Sequence, residues 1–226
     1  MTRLAAVIPA GGIGARLGTR TPKQFLTIGR TPILAATVRH FTRHPGMAAV
    51  VVAAPQAHLA RARRLLARAG RGAPIVVVAG GRTRQESVWL GLQAVPAGVN
   101  VVVVHDAVRP LITRRLVDDV VRAAREAGAA VCALPIAETV KRVRDGLVEA
   151  TLDRAELWAV QTPQAFRADL LRGAHERARR DGIVGTDDAM LVERLGHPVR
   201  VVAGLPGNIK ITTPEDLRRA RGAARA

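Results

Sequence analysis

The chain has 226 residues, 48% hydrophobic and 2% aromatic with no tyrosine, and its 35 basic against 18 acidic side chains leave a net charge of +17. That length supports one large domain, here an aliphatic one, and no apolar run reaches the ~18–20 residues a membrane helix needs. Cys132 is the sole cysteine, which excludes an internal disulfide, and the N-terminus carries no secretory pattern; the expectation is a cytoplasmic protein with one domain spanning residues 1–226.

Apolar runs alternate with segments of helical period. Leu4–Pro9 reads as a buried strand, Ile33–Arg43 as a helix, Ala48–Ala54 as a strand and His58–Ala69 as a helix. Pro74–Ala79 follows as a strand and Arg84–Ala94 as a helix. Val101–His105, with four consecutive valines, is a strand; Leu116–Ala127 is a helix capped by Thr113; Ala129–Leu134 is a strand. Strands apolar on both faces in this βαβα order predict a Rossmann-like α/β fold, a mostly parallel sheet with helices on both faces. The rhythm then breaks. TVKRVRDGLVEAT, beginning at Thr139, reads as two short strands around Asp145-Gly146, predicting a hairpin arm over about residues 137–156 that projects from the domain. A helix near Ala168–Arg180 and a strand at Val199–Val202 resume the pattern. Thr213 and Pro214 open a last helix, with Glu215 and Asp216 suited to its dipole.

The positive charge first suggests nucleic acid. Much of the excess, however, lies in RARRLLARAGR and HERARR, which read as solvated helix faces, and base-stacking aromatics are nearly absent. A basic RNA-binding module is therefore the lesser reading; the same field attracts small polyanions such as nucleotides. Of the 35 basic residues only Lys23, Lys141 and Lys210 are lysines. Lysine is a compact point charge and arginine a planar fork, so a lysine in an arginine-dominated chain marks a candidate phosphate contact. Lys141 lies on the hairpin, where a strand charge discourages edge pairing, and has no assigned role.

VIPAGGIGARLGTRTPKQF, from Val7 to Phe25, leaves the first strand at the sheet edge where α/β folds bind ligands. The dinucleotide pattern G-x-G-x-x-G/A, read from Gly12 through Gly14, meets bulky Leu17 at its third position. The second strand ends in Ala53-Ala54-Pro55 without a ribose-binding acid, and the ATPase pattern lacks its Gly-Lys step. What remains is a glycine turn whose backbone N–H groups can approach an anion, followed by two cations, Arg16 and Lys23. No Ser-His-Asp or Cys-His set stands out.

PAGGIGARLG followed by PKQF resembles the signature of the 2-C-methyl-D-erythritol 4-phosphate cytidylyltransferase family. The resemblance continues in order through GGRTRQESV, VHDAVRP, ETVKR, LDRAELW, QTPQAF, TDDA and GNIKIT, covering Val7 to Thr212; Gly207 stands where the family commonly has Asp. It implies an enzyme that joins CTP and methylerythritol phosphate to a CDP-linked product, releasing pyrophosphate, in non-mevalonate isoprenoid biosynthesis. The nucleophile would be a phosphate monoester, largely dianionic at neutral pH because its second pKa is ~6, so the site needs charge and positioning rather than a general base.

Carried over by the resemblance, Arg16 and Lys23 hold the triphosphate and stabilise the transition state, while Arg154 and Lys210 orient the nucleophilic oxygen. Pro9, Ala10, Gly11, Gly12, Gly14, Gly81, Arg82, Ser87 and Asp106 surround CTP; Arg109, Thr139, Thr162 and Thr186 bind the polyol phosphate. Asp106 suits a sugar hydroxyl or an outer-sphere magnesium contact. Ser87 equally suits a hydroxyl at a helix start, and Thr186-Asp187 a helix cap. Magnesium is expected on the substrate phosphates, without a dedicated carboxylate cage. The arm is expected to form a homodimer and to complete the neighbour's site. The nearest alternative is a ribitol-5-phosphate cytidylyltransferase, which shares the CTP half of the site; a sugar-1-phosphate nucleotidyltransferase would carry more sequence after the core.

Overall fold

The computed structural model describes residues 2–12, 21–67, 69 and 72–223; Gly14 and Arg16 lie outside the described residues. Among those described, the elements run β1 (Leu4–Pro9), β2 (Thr27–Ile28), β3 (Thr31–Pro32), α1 (Ile33–Thr42), β4 (Met47–Ala54), α2 (Leu59–Leu66), β5 (Ile75–Ala79), α3 (Arg84–Gln93) and β6 (Val101–Val104). They continue with α4 (Arg114–Ala127), β7 (Ala129–Pro135), β8 (Val140–Arg144), β9 (Leu147–Leu152), β10 (Trp158–Arg167), α5 (Ala168–Arg180), α6 (Asp188–Glu193), β11 (Arg200–Ala203) and α7 (Pro214–Ala223).

The main sheet among the described residues has the order β11-β7-β10-β6-β1-β4-β5. Every neighbouring pair is parallel except the two made by β10, which runs against both β6 and β7. The sheet is thus mostly parallel, as expected, with β10 an antiparallel insertion that the apolar pattern did not announce.

Period-two alternation splits each central strand between two cores. Leu4, Ala6 and Ile8 of β1 pack on one face with Leu34, Val38 and Phe41 of α1 and Val117 and Val120 of α4. Ala5 and Val7 pack on the other face with Val88 and Leu92 of α3 and Leu171 and Ala174 of α5. Val101 and Val103 against Val102 and Val104 repeat the division in β6. A strand buried on both faces must be apolar at every position, which is why these runs are continuous. No described helix is long and apolar enough to cross a membrane.

Helix starts follow local chemistry. Thr113 accepts a hydrogen bond from Leu116 N–H at the start of α4, Thr83 accepts from Glu86 N–H at the start of α3, and Asp187 accepts from Met190 N–H at the start of α6. Each supplies an acceptor to an otherwise unpaired first-turn donor.

β8 and β9 form a separate two-stranded sheet. Asp145 and Gly146 join them at φ 51° and 81°, the left-handed pair that a tight two-residue hairpin turn requires. The arm buries little: Val143, Leu147 and Val148 are 55%, 74% and 61% exposed.

Candidate active site

A cavity of about 370 Å³ opens at the carboxyl edge of the parallel strands, lined by Pro9, Ala10, Gly11, Gly12, Lys23, Gln24, Gly81, Arg82, Thr83, Arg84, Asp106, Ala107, Val108 and Lys210. These residues end or follow β1, follow β5 and β6, or come from the segment before α7. The connection from β1 leads toward β4 and that from the adjacent β6 leads the other way, toward β7, so the cavity lies where the connections of neighbouring strands diverge, the habitual ligand site of open α/β sheets.

Gln24 shapes its mouth. It lies in the short 3-10 helix Lys23–Phe25, is buried, and its Nε2 donates to the Ala10 carbonyl at 2.7 Å. Ala10 N–H in turn donates to the Ala53 carbonyl at 2.8 Å. The exit of β1 is therefore fixed while Gly11 and Gly12 face the cavity. A Cβ on Gly12 would lie 3.2 Å from Lys23 Cε, so glycine there permits the close approach of the lysine stem to the turn.

Asp106 is the hub, and among the described residues it is the sole acid lining the cavity. Its Oδ1 accepts from Arg84 Nε at 3.2 Å; its Oδ2 meets Lys210 Nζ at 2.9 Å and Arg109 Nε at 3.4 Å. Its N–H donates to Thr162 Oγ1 at 3.0 Å. Burial opposes the carboxylate's charge, but Arg84 and then Lys210 outweigh it and hold the group well below the usual carboxylate range. Arg84 responds in turn: burial disfavours its charge, yet Asp188 on α6 and then Asp106 raise its pKa. His105, next to the hub, is pushed down to about 4, chiefly by burial. Its Nε2 lies 3.0 Å from the Arg109 carbonyl and braces the turn.

Of the residues singled out from sequence, the cavity brings together Pro9, Ala10, Gly11, Gly12, Lys23, Gly81, Arg82, Asp106 and Lys210. Three others stand directly behind them. Ser87 accepts from Gly81 N–H at 3.1 Å and donates to the Thr83 carbonyl at 2.9 Å, holding the second loop from below. Arg109 is buried and also donates through Nη1 to the Asn208 carbonyl at 2.7 Å, while Thr162 grips the Asp106 backbone. Asn208 Nδ2 donates to the Thr162 carbonyl at 2.7 Å, which ties the segment carrying Lys210 to β10.

Thr139, Arg154 and Thr186 are exposed and do not line the cavity. Arg154, in a 3-10 turn after β9, donates to the Ala137 carbonyl at the foot of the arm. Thr186 N–H donates to Met190 Sδ at 3.4 Å, and the cap of α6 is the neighbouring Asp187. Lys141 donates to Thr151 Oγ1 across the hairpin at 2.6 Å. Gly14 and Arg16 lie outside the described residues.

Sequence reasoning missed Gln24, Arg84 and Asp188. Arg84 is the first residue of α3, where the helix dipole disfavours a cation; that misplacement was the readable signal that acids must compensate it. Asp188 Oδ2 does so, accepting from Arg84 Nη1 at 2.7 Å.

A mostly parallel α/β sheet with a cation-lined cleft at its carboxyl edge, and a glycine turn at the mouth, is the arrangement of a nucleotidyltransferase. The chain belongs to the 2-C-methyl-D-erythritol 4-phosphate cytidylyltransferase family, whose model matches residues 4–225. It is 48% identical over 219 residues to the 2-C-methyl-D-erythritol 4-phosphate cytidylyltransferase of Symbiobacterium thermophilum, covering 96% of this chain and 91% of the relative. The enzyme of that name from Pelotomaculum thermopropionicum is 44% identical, covering 100% of this chain and 96% of the relative. Among solved structures, the 2-C-methyl-D-erythritol 4-phosphate cytidylyltransferase of Thermus thermophilus superposes with a TM-score of 0.82 at 37% identity, covering 100% of both chains.

Proposed function

We propose that the chain joins CTP and 2-C-methyl-D-erythritol 4-phosphate to give the CDP-linked polyol and pyrophosphate, and that the cavity around Asp106 is where it does so. The observation that supports this most is that Gly11, Gly12, Lys23, Arg82, Arg84 and Lys210 line one cavity with the buried Asp106 at the sheet's carboxyl edge, in a member of this family.

An oxygen of the polyol phosphate attacks the α-phosphorus of CTP. One P–O bond forms there, and the bond to the pyrophosphate oxygen breaks. The nucleophile is already largely ionised, its second pKa being ~6, so no side chain needs to take its proton; His105 and Asp106, both with lowered pKa values, are poor proton acceptors, which agrees with that. What the chain supplies is fixed positive charge where negative charge crowds together. Lys23 and Arg16 act on the triphosphate, and the N–H groups of Gly11 and Gly12 face it. Gly81 and Arg82, with Ser87 holding the loop from behind, act at the cytidine. Lys210 orients the attacking phosphate, kept in place by Asp106, while Arg109 and Thr162 hold Asp106 itself.

Magnesium enters with CTP as part of the substrate. Both Asp106 oxygens are already engaged by cations, so the donor set suits an ion carried on phosphate oxygens and waters, with Asp106 no closer than an outer-sphere contact. Thr139, Arg154 and Thr186 complete the polyol end, with the arm of a second subunit bringing Arg154 to the neighbouring cavity in a cytoplasmic homodimer.

The test is pyrophosphate release with CTP, magnesium and either polyol phosphate. Turnover of methylerythritol phosphate should be much faster than that of ribitol 5-phosphate. Comparable or faster ribitol phosphate turnover overturns the substrate; salt-dependent RNA retention without pyrophosphate release overturns the reaction class.

A further inference from the structure

Behind Asp106 the polar network continues into the interior. Arg84 reaches Asp106 through Nε and Asp188 through Nη1. Asp188 Oδ1 lies 3.0 Å from His175 Nε2 on α5, and these two side chains are 1% and 0% exposed. Burial disfavours the Asp188 charge, but Arg84 and then His175 keep its pKa lowered, so Nε2 is the donor. His175 Nδ1 is buried without a hydrogen-bond partner among the described residues, so the ring is held through Nε2 alone. Trp89 of α3 stacks on the ring at 6.4 Å between centroids. A second limb fastens the same elements: Gln85 Nε2 donates to the Ile183 carbonyl at 3.0 Å, and its Oε1 accepts from Gly185 N–H at 2.8 Å.

Buried ion pairs contribute little net stability compared with an apolar core of the same shape, so stability alone does not account for this one. A cation at the first position of a helix also opposes the dipole. Two acids on different elements instead define both the place and the plane of one guanidinium.

We propose that Asp188 and His175 are positioning residues for the reaction: a buried brace that aims Arg84 at Asp106 and, through Asp106 Oδ2, sets the position of Lys210. The inference rests on the cytidylyltransferase reading, in which Lys210 orients the nucleophile. Neither brace residue lines the cavity, so each acts only through Arg84.

The experiment is a double-mutant cycle, run with whichever polyol phosphate the wild-type enzyme turns over fastest, so that a wrong substrate assignment leaves it readable. Asp188→Asn keeps the shape and removes the charge. It should lower kcat by about 10- to 100-fold, the range for losing a hydrogen bond to a charged group. In a Lys210→Ala background the same change should cost less than about 3-fold, because the effector of the brace is gone. An equal loss in both backgrounds overturns the proposal. Should Asp188→Asn fail to fold, His175 decides. Gln places an N–H near the position of Nε2, so His175→Gln should retain activity within about 3-fold while His175→Leu loses more than about 5-fold, less than for the charged contact itself. Equal losses in the two variants, at equal melting temperatures, would overturn it.

Discussion

Asp106 at the crest of the sheet and Arg154 at the foot of the arm belong to the same proposed site, but they are held by different means. Asp106 is buried and touches Arg84, Arg109 and Lys210 from three separate segments. Arg154 is exposed and donates to the Ala137 carbonyl nearby in the same chain. The crest is set by packing: continuous valine strands bury on both faces, and Ala10 and Asp106 follow directly from the ends of such strands. The arm is a two-stranded ribbon, marginal by itself in water, with Val143, Leu147 and Val148 turned out to solvent. On the proposed reading, one subunit fixes the triphosphate end of a site alone, whereas the polyol end depends on what covers the arm.

The largest expected effect lies at the crest. Lys23→Ala should lower kcat by at least ~100-fold, as loss of a preorganised transition-state charge partner does, and weaken CTP binding less; Arg16→Ala should behave alike. Steady-state kinetics beside equilibrium nucleotide binding separates the two quantities. A near-normal kcat in Lys23→Ala would mean that the crest only binds.

Next is the hub. Asp106→Asn leaves Arg84, Arg109 and Lys210 without a shared counter-charge and should cost about 3–5 kcal/mol of stability at pH 7, the range for breaking one side of a buried ionic cluster. The pH dependence has a definite sign. The folded pKa values of Asp106 and Asp188 are lowered, so the unfolded chain binds more protons between the folded values and ~3.9. Their stabilisation is fully present above that unfolded value and is lost as pH falls through the folded ones. Thermal melts from pH 5 to pH 2 should show a shallower slope for Asp106→Asn than for wild type. An unchanged slope would remove Asp106 from the charged network.

The same contrast governs what could be read from sequence. β1 and α5 fall at the expected bounds, Leu4–Pro9 and Ala168–Arg180, because strands buried on both faces and amphipathic helices write their environment into local pattern. β10 was missed for the opposite reason. Within it Gln161 and Gln164 are buried and Pro163 interrupts the run, and what satisfies them is distant in sequence: Gln161 Nε2 donates to the Leu205 carbonyl and Gln164 Nε2 to Asp187. α6, six residues long, is too short to show a period. The glycine turn, Lys23, Asp106 and Lys210 were legible because they stand at strand ends or in an unusual residue type. Arg84 was hidden among many arginines: its place at the start of α3 was the one local hint, and its partners Asp106 and Asp188 are distant in sequence.

The smallest expected effect tests the arm. If it pairs with the arm of a second subunit about a two-fold axis, its exposed apolar residues become covered, and Arg154 acts at the neighbour's cavity while Lys23 acts at its own. Lys23→Ala and Arg154→Ala enzymes, each inactive, are mixed after dissociation and allowed to reassociate. In a mixed dimer one site keeps its own Lys23 and receives an intact Arg154, and the other site lacks both. Random pairing makes half the dimers mixed, so about a quarter of wild-type activity should return for a two-fold dimer. If both residues serve a cavity in the same chain, no site is ever whole and nothing returns. A mixture that stays dead despite demonstrated subunit exchange, or a monomer by sedimentation, would place the whole site within one subunit and leave the apolar face of the arm to some other partner.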